Sequence, residues 1–253
     1  MEIGMSLGPD DELIEKIQDL PEEEIDFIEF GIGERERNPE EFDNGEVREV
    51  LDEKNFGIVI HLPFRQPLAT EVDELNQGYL KYQNRLMNTA SDLGAKKVVV
   101  HSDLRKQGRE EEEEKLTGQI KKMMELGQEN NLEVCFENMG QWRGLELLEL
   151  GELLDELDAS MCFDTGHAFS EVGQEETEEF LDEYSHLISH LHLTDTREGR
   201  DMHLPIGSEE VGFKAIGEKL SDFDGTATME IFTEDNDYIL LSKKKVEEFW
   251  QRD

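Results

Sequence analysis

Eight times along this chain of 253 residues a short apolar run bounded by turn residues gives way to a longer segment with helical periodicity. That alternation restricts the fold more than any other feature, because strands separated by helices pair in parallel. The runs predict strands at 2–7, 25–30, 57–62, 97–101, 132–137, 159–163, 188–193 and 226–231. Between them the period predicts helices near 10–19, 46–53, 71–93, 110–130, 145–157, 174–184, 209–220 and 238–250. Eight such units favour closure over an open sheet, so the expected class is α/β, a single (β/α)8 barrel over residues 1–253, with no linker that would divide it.

The ends of the strands carry the chemistry. Six runs close at His61, His101, Glu137, Asp164, His192 and Glu230, and His167, Asp201 and His203 stand just beyond two of them. The C-terminal ends of parallel barrel strands meet at one rim, so these residues are expected to converge. A histidine closing a strand is often only a hydrogen-bonded core residue, and a strand-end acid is often a helix cap. Five of the seven histidines together with four acids at rim positions are harder to explain that way. Imidazole and carboxylate are the usual ligands of zinc and manganese, which makes the set read as a metal site.

Net charge is −38, from 63 acidic against 25 basic residues. A folded domain carrying that charge repels itself in dilute buffer, whereas concentrated salt shortens the Debye length to about 3 Å at 1 M. The acids are spread over amphipathic helices, not blocked at one end, so they indicate a salt-adapted, halophilic surface and not an acidic tail. The start, Met1-Glu-Ile-Gly, lacks a basic segment and an apolar core, and no stretch approaches the roughly 20 apolar residues of a membrane span. The expectation is a cytoplasmic protein without membrane association; no protein partner is evident. Cys135 and Cys162 lie inside predicted strands and read as buried free thiols.

Taken in order, His61-Leu-Pro-Phe64, Val100-His101-Ser102, Cys135-Phe-Glu-Asn138, Phe163-Asp-Thr-Gly-His167, His190-Leu-His-Leu-Thr-Asp195, Asp201-Met-His-Leu-Pro-Ile-Gly207 and Met229-Glu-Ile231 resemble the xylose isomerase-like TIM barrels. That superfamily contains sugar and sugar-phosphate isomerases and epimerases, and also endonuclease IV, a zinc enzyme that cuts DNA at abasic sites. The resemblance runs from about residue 57 to 232. In the epimerase pattern it implies one metal at Glu137, Asp164, His192 and Glu230, with Glu137 and Glu230 exchanging a proton with substrate. The endonuclease IV pattern employs all nine residues. It implies one zinc at His61, His101 and Glu137, a second at Glu137, Asp164, His192 and Glu230, and a third at His167, Asp201 and His203.

Charge arithmetic and arginine placement favour the second pattern. The nine ligands include four carboxylates, so one divalent ion leaves the site at about −2 and three leave it at about +2, and only the latter attracts a phosphodiester. Arg35, Arg37, Arg65, Arg105, Arg109, Arg143, Arg197 and Arg200 fall in predicted rim-side loops. A guanidinium fork suits phosphate, and Arg35, Arg65, Arg143 and Arg197 are the expected contacts to an anionic substrate. The sequence reading is therefore an endonuclease IV-like hydrolase of abasic DNA with two or three Zn2+, Mn2+ or Co2+ being the other ions such a set accepts. The alternative is a sugar or sugar-phosphate isomerase or epimerase with one metal and the glutamate pair; a barrel that binds without turnover is the third. Three departures from endonuclease IV bear on substrate recognition. They are a first strand without histidine, Pro63-Phe-Arg-Gln-Pro67 in place of its tyrosine and Asn-Leu pair, and acids in the turn Ile206-Gly-Ser-Glu-Glu-Val-Gly212.

Overall fold

The structure is a computed structural model, and it describes residues 1–8, 12–21, 24–33, 37–38, 44–63, 65–102, 110–140, 144–233 and 235–250. Strands β1 (Glu2–Leu7), β2 (Phe27–Gly31), β3 (Gly57–His61), β4 (Lys97–His101), β5 (Glu133–Glu137), β6 (Ser160–Asp164), β7 (Ile188–Leu193) and β8 (Thr226–Met229) alternate with eight helices. These are α1 (Leu13–Asp19), α2 (Asn44–Lys54), α3 (Asp73–Leu93), α4 (Glu110–Glu129), α5 (Leu147–Leu157), α6 (Thr165–Tyr184), α7 (Phe213–Lys219) and α8 (Asn236–Phe249). The strands follow chain order around a closed parallel barrel, β1 returning to β8 with Glu2 opposite Thr226 and Met5 opposite Met229. The expected (β/α)8 barrel is the observed fold.

By contact density the chain falls into two units, Leu7–Glu137 and Met1–Ser6 with Asn138–Asp253. In the first, β3, β4 and β5 carry buried runs such as Ile58–Val59–Ile60 and Val98–Val99–Val100, covered outside by α3 and α4 residues including Leu86, Ala90 and Ile120. In the second, Met161, Phe163, Leu191 and Leu193 are buried against Phe180 and Leu181 of α6. Strands buried on both faces read as continuous apolar runs, which is why they were visible in the sequence.

Helix boundaries follow local chemistry. The α3 helix ends at Gly94, whose φ of 94° lets its N–H reach back to the carbonyls of Ala90 and Ser91. A capping box of Glu146 and Glu149 opens α5. The main difference from expectation is α6, which starts at Thr165 rather than 174. Asp164 caps it directly from the strand end, and Gly173, with φ of 79°, kinks it before the predicted segment begins. The helix start near residue 10 and the loops holding Arg35, Arg105, Arg109 and Arg143 lie outside the described residues. Both cysteines are buried thiols outside any disulfide. Among the described residues no helix is long and apolar enough to cross a membrane.

Candidate metal centre

In the unit Leu7–Glu137, β3, β4 and β5 deliver His61, His101 and Glu137 to one cluster. Register sets this: His101 stands opposite Glu137, and His61 opposite Val99. Nε2 of His61 lies 3.3 Å and Nε2 of His101 3.2 Å from the same Glu137 oxygen, Oε2. The rings meet edge to face with centroids 4.9 Å apart. Nδ1 of His61 stands 2.8 Å from the Leu62 carbonyl oxygen. A carbonyl only accepts, so Nδ1 carries a proton and Nε2 is the nitrogen that faces the carboxylate. A lone pair facing a carboxylate oxygen calls for a cation or a proton between them.

The other unit builds two further groups. Asp164 closes β6, and its Oδ1 accepts the His167 N–H at 2.6 Å, starting α6. Asn138 clamps the Asp164 backbone, accepting its N–H at 2.8 Å through Oδ1 and donating from Nδ2 to its carbonyl at 3.0 Å. The carbonyl of Asn138 accepts Nδ1–H of His167 at 2.9 Å, which leaves Nε2 facing Asp201 Oδ2 at 3.5 Å. Nδ1 of His192 is 3.2 Å from Glu230 Oε2 and 4.0 Å from Asp164 Oδ2. His203 adopts a left-handed φ of 48°, donates Nδ1–H to the Glu230 carbonyl at 3.3 Å and sets Nε2 2.9 Å from Asp201 Oδ1. Asp164, His192 and Glu230 thus form one group, and His167, Asp201 and His203 another, each with donor atoms within 4.8 Å of one another.

His61, His167 and His203 follow one rule: Nδ1 is tied to a backbone carbonyl and Nε2 is presented to carboxylates. That is how ligating histidines are oriented, with the outer hydrogen bond fixing the tautomer. Nitrogen and carboxylate oxygen in these numbers suit a divalent first-row ion. The electrostatics agree for His203. Burial opposes its charge, but the hydrogen bond it donates to Asp201 and the charges of Glu230, Asp201 and Asp164 push it up to about 9. Asp201, despite desolvation, is held well below the ordinary carboxylate range by His167 and His203. The cluster holds positive charge tightly.

Two expected anion contacts can be placed. Arg65 is exposed just beyond β3. Arg197 forks onto Glu209, with Nε and Nη2 at 2.6 and 2.5 Å. Arg35 and Arg143 lie outside the described residues. Arg37 lies over the Phe30 ring and donates to the Gly8 carbonyl. Asn138 and Phe232 were not expected as site residues. Asn138 was within reach, since it follows Glu137 in Cys135-Phe-Glu-Asn138. Phe232, two residues past Glu230, stacks on the His203 ring at 4.1 Å and is 70% exposed. Cys162, His190 and His192 also cluster, but His190 is bonded on both nitrogens, to Thr226 Oγ1 at 2.7 Å and Thr228 Oγ1 at 3.2 Å. It belongs to the packed interior beneath His192.

Residues 17–250 match the family described as xylose isomerase-like TIM barrel. The chain belongs to that family. An uncharacterized protein of Methanocaldococcus jannaschii, MJ1311, is 26% identical over 197 residues, covering 73% of this chain and 67% of that protein. Among solved structures of the same fold, a D-tagatose 3-epimerase-like protein superposes with TM-score 0.81 at 23% identity, over 98% of this chain and 97% of the other. The IOLI protein with a zinc atom gives 0.79 at 14% identity, over 99% and 98%. Both superpose over nearly the whole chain and share its barrel fold.

Proposed function

We propose that the protein is a metal-dependent sugar isomerase or epimerase that moves a proton at the carbon beside the carbonyl of a ketose. The observation that carries this reading is the Asp164, His192 and Glu230 group at the ends of β6, β7 and just past β8. Epimerases among the structural likenesses support it. Glu137, at the end of β5 and next to β6 in the barrel order, is assigned as the fourth ligand.

In this reading Asp164, His192, Glu230 and Glu137 would hold a divalent ion, which would supply polarisation of the substrate carbonyl and so acidify the neighbouring C–H. Glu230 takes the proton from that carbon on one face, and Glu137 returns one to the opposite face; the reverse reaction exchanges their roles. Asn138 holds Asp164 in place, His61 and His101 orient Glu137, and His167 and His203 face the hydroxyls of the sugar. Arg65 supplies the contact to a phosphate if the sugar carries one, and Arg197 does so only by leaving Glu209.

The test is deuterium wash-in. Wild type with Mn2+, Co2+ or Zn2+ incubated with a panel of ketoses and ketose phosphates in D2O should label the carbon beside the carbonyl. Glu137→Gln and Glu230→Gln should abolish labelling. Absence of label across the panel, with cleavage of abasic duplex by the same preparation, overturns the reading.

Two further clusters favour a second reading. His61, His101 and Glu137, and His167, Asp201 and His203, each assemble a donor set. With them filled, the endonuclease IV-like phosphodiester hydrolase follows, and the native protein carries two or three metals per chain where the epimerase carries one.

A further inference from the structure

Between β7 and α7 runs a segment, residues 194–212, that carries Asp201 and His203 yet has no helix or strand of its own. His203 sits in the left-handed region, which is unfavourable for a non-glycine residue and persists only where surrounding contacts over-determine it. The contacts converge on Asp195, whose side chain is fully buried. Oδ1 accepts N–H groups from Thr196 at 2.9 Å and Val211 at 3.1 Å, and Oδ2 accepts from Glu209 at 2.7 Å. Its backbone exchanges both hydrogen bonds with Leu204, at 3.0 and 2.9 Å, in an antiparallel bridge directly beside His203. One residue therefore ties together the start, the middle and the end of the segment. Thr196 extends the tie, its hydroxyl donating to the Arg200 carbonyl at 2.6 Å and its carbonyl accepting from Glu210 at 3.2 Å.

We infer that Asp195 is a positioning residue: by gathering three backbone donors it fixes the β7–α7 segment so that Asp201 and His203 face His167. An acceptor-only carboxylate suits three donors; an amide would offer one oxygen and turn a second N–H against them. The hydrogen bonds of Asp195 go to backbone groups of the segment itself, so its effect on the site passes through the loop. The inference deepens the proposed function and rests on it for the claim that loop placement matters to turnover.

The experiment compares wild type, Asp195→Ala and Asp195→Asn in the full chain. Hydrogen exchange is followed for peptides covering 196–211 against peptides from β6 and α8. Long-range proton–nitrogen correlations report the side-chain nitrogens of His203 against those of His61. The expected result for Asp195→Ala is exchange about tenfold faster or more in 196–211 alone, displaced His203 signals with His61 unchanged, and kcat lowered about 10- to 100-fold with little change in KM. Asp195→Asn, which keeps one acceptor, falls between. If the alanine variant does not fold, the asparagine variant carries the same comparison. Exchange and His203 signals like wild type overturn the inference, as does a loss of protection spread evenly over the whole chain. Failure of wild type to turn over any ketose defeats the proposed function instead, and leaves the exchange and His203 readouts to decide on Asp195.

Discussion

Nε2 of His203 stands 2.9 Å from Oδ1 of Asp201, and the pair is stable over a defined range of pH. His203 is raised to about 9 by Asp201 and the neighbouring carboxylates against its burial, compared with about 6.5 in an unfolded chain. Its contribution to stability is complete below about 6.5 and is lost as pH rises through about 9. Asp201 is depressed, so its contribution is present above the unfolded value of about 4 and is lost only as pH falls through the lower folded value. Urea unfolding of chelator-treated wild type and His203→Ala should therefore show a difference that is largest between pH 5 and 6.5 and shrinks toward pH 9. A constant difference across that range refutes the pairing.

His61 and His101 share one oxygen of Glu137, and their replacement separates the two functional readings. If their task is to orient Glu137, His61→Ala and His101→Ala should keep the metal bound at Asp164, His192 and Glu230 and lower kcat about tenfold, in the range of outer-shell losses. Elemental analysis of native and variant protein measures this directly. Loss of one metal per chain in either variant, accompanied by loss of abasic-site cleavage, would move the protein to the hydrolase reading.

The barrel was legible because its determinants are local. Glu2–Leu7, Lys97–His101 and Ile188–Leu193 are the strands read from the apolar runs, residue for residue. Seven of the nine candidate ligands sit at or just beyond a strand end whose position the runs define, whereas Asp201 and His203 stand within the β7–α7 segment, whose course the runs do not define. What escaped is set by contacts between distant positions. The α6 start at Thr165 depends on Asp164 folding back as a cap, and threonine and glycine in that turn gave no helical signal. Arg197 read as a free anion contact because its partner Glu209 lies twelve positions away across a loop. Asp195 read as part of a motif, with no hint that its carboxylate would face inward to Val211 and Glu209.

Gly166 tests how closely the first turn of α6 is packed against β7. A Cβ there would lie 2.5 Å from Thr194 Cγ2 and 3.4 Å from Asp164 Oδ1. Alanine improves helix propensity by up to about 1 kcal/mol, but overpacking of this kind costs about 1–3 kcal/mol, and Thr194 has no flexible end to give way. Gly166→Ala should be net destabilising by denaturant titration and should weaken zinc binding by calorimetry, because Asp164 must shift. Stability equal to or above wild type, with unchanged zinc affinity, would show that the turn has slack.

Charge sets the last expectation. The chain carries −38, and α6 alone exposes Glu175, Glu176, Glu179 and Glu183 on its outer face. Repulsion among such groups weakens the compact state and is screened as the Debye length contracts from about 10 Å at 0.1 M to about 3 Å at 1 M. The thermal midpoint of chelator-treated protein should climb steadily with KCl over that range, chelation removing any contribution of divalent ions. Replacing the four α6 glutamates by glutamine should raise the midpoint at 0.1 M and leave it nearly unchanged at 2 M, because the repulsion they add is already screened there. A midpoint independent of KCl, or a quadruple variant that loses stability at low salt, would show that these acids are engaged in favourable contacts and that their number is not a salt adaptation.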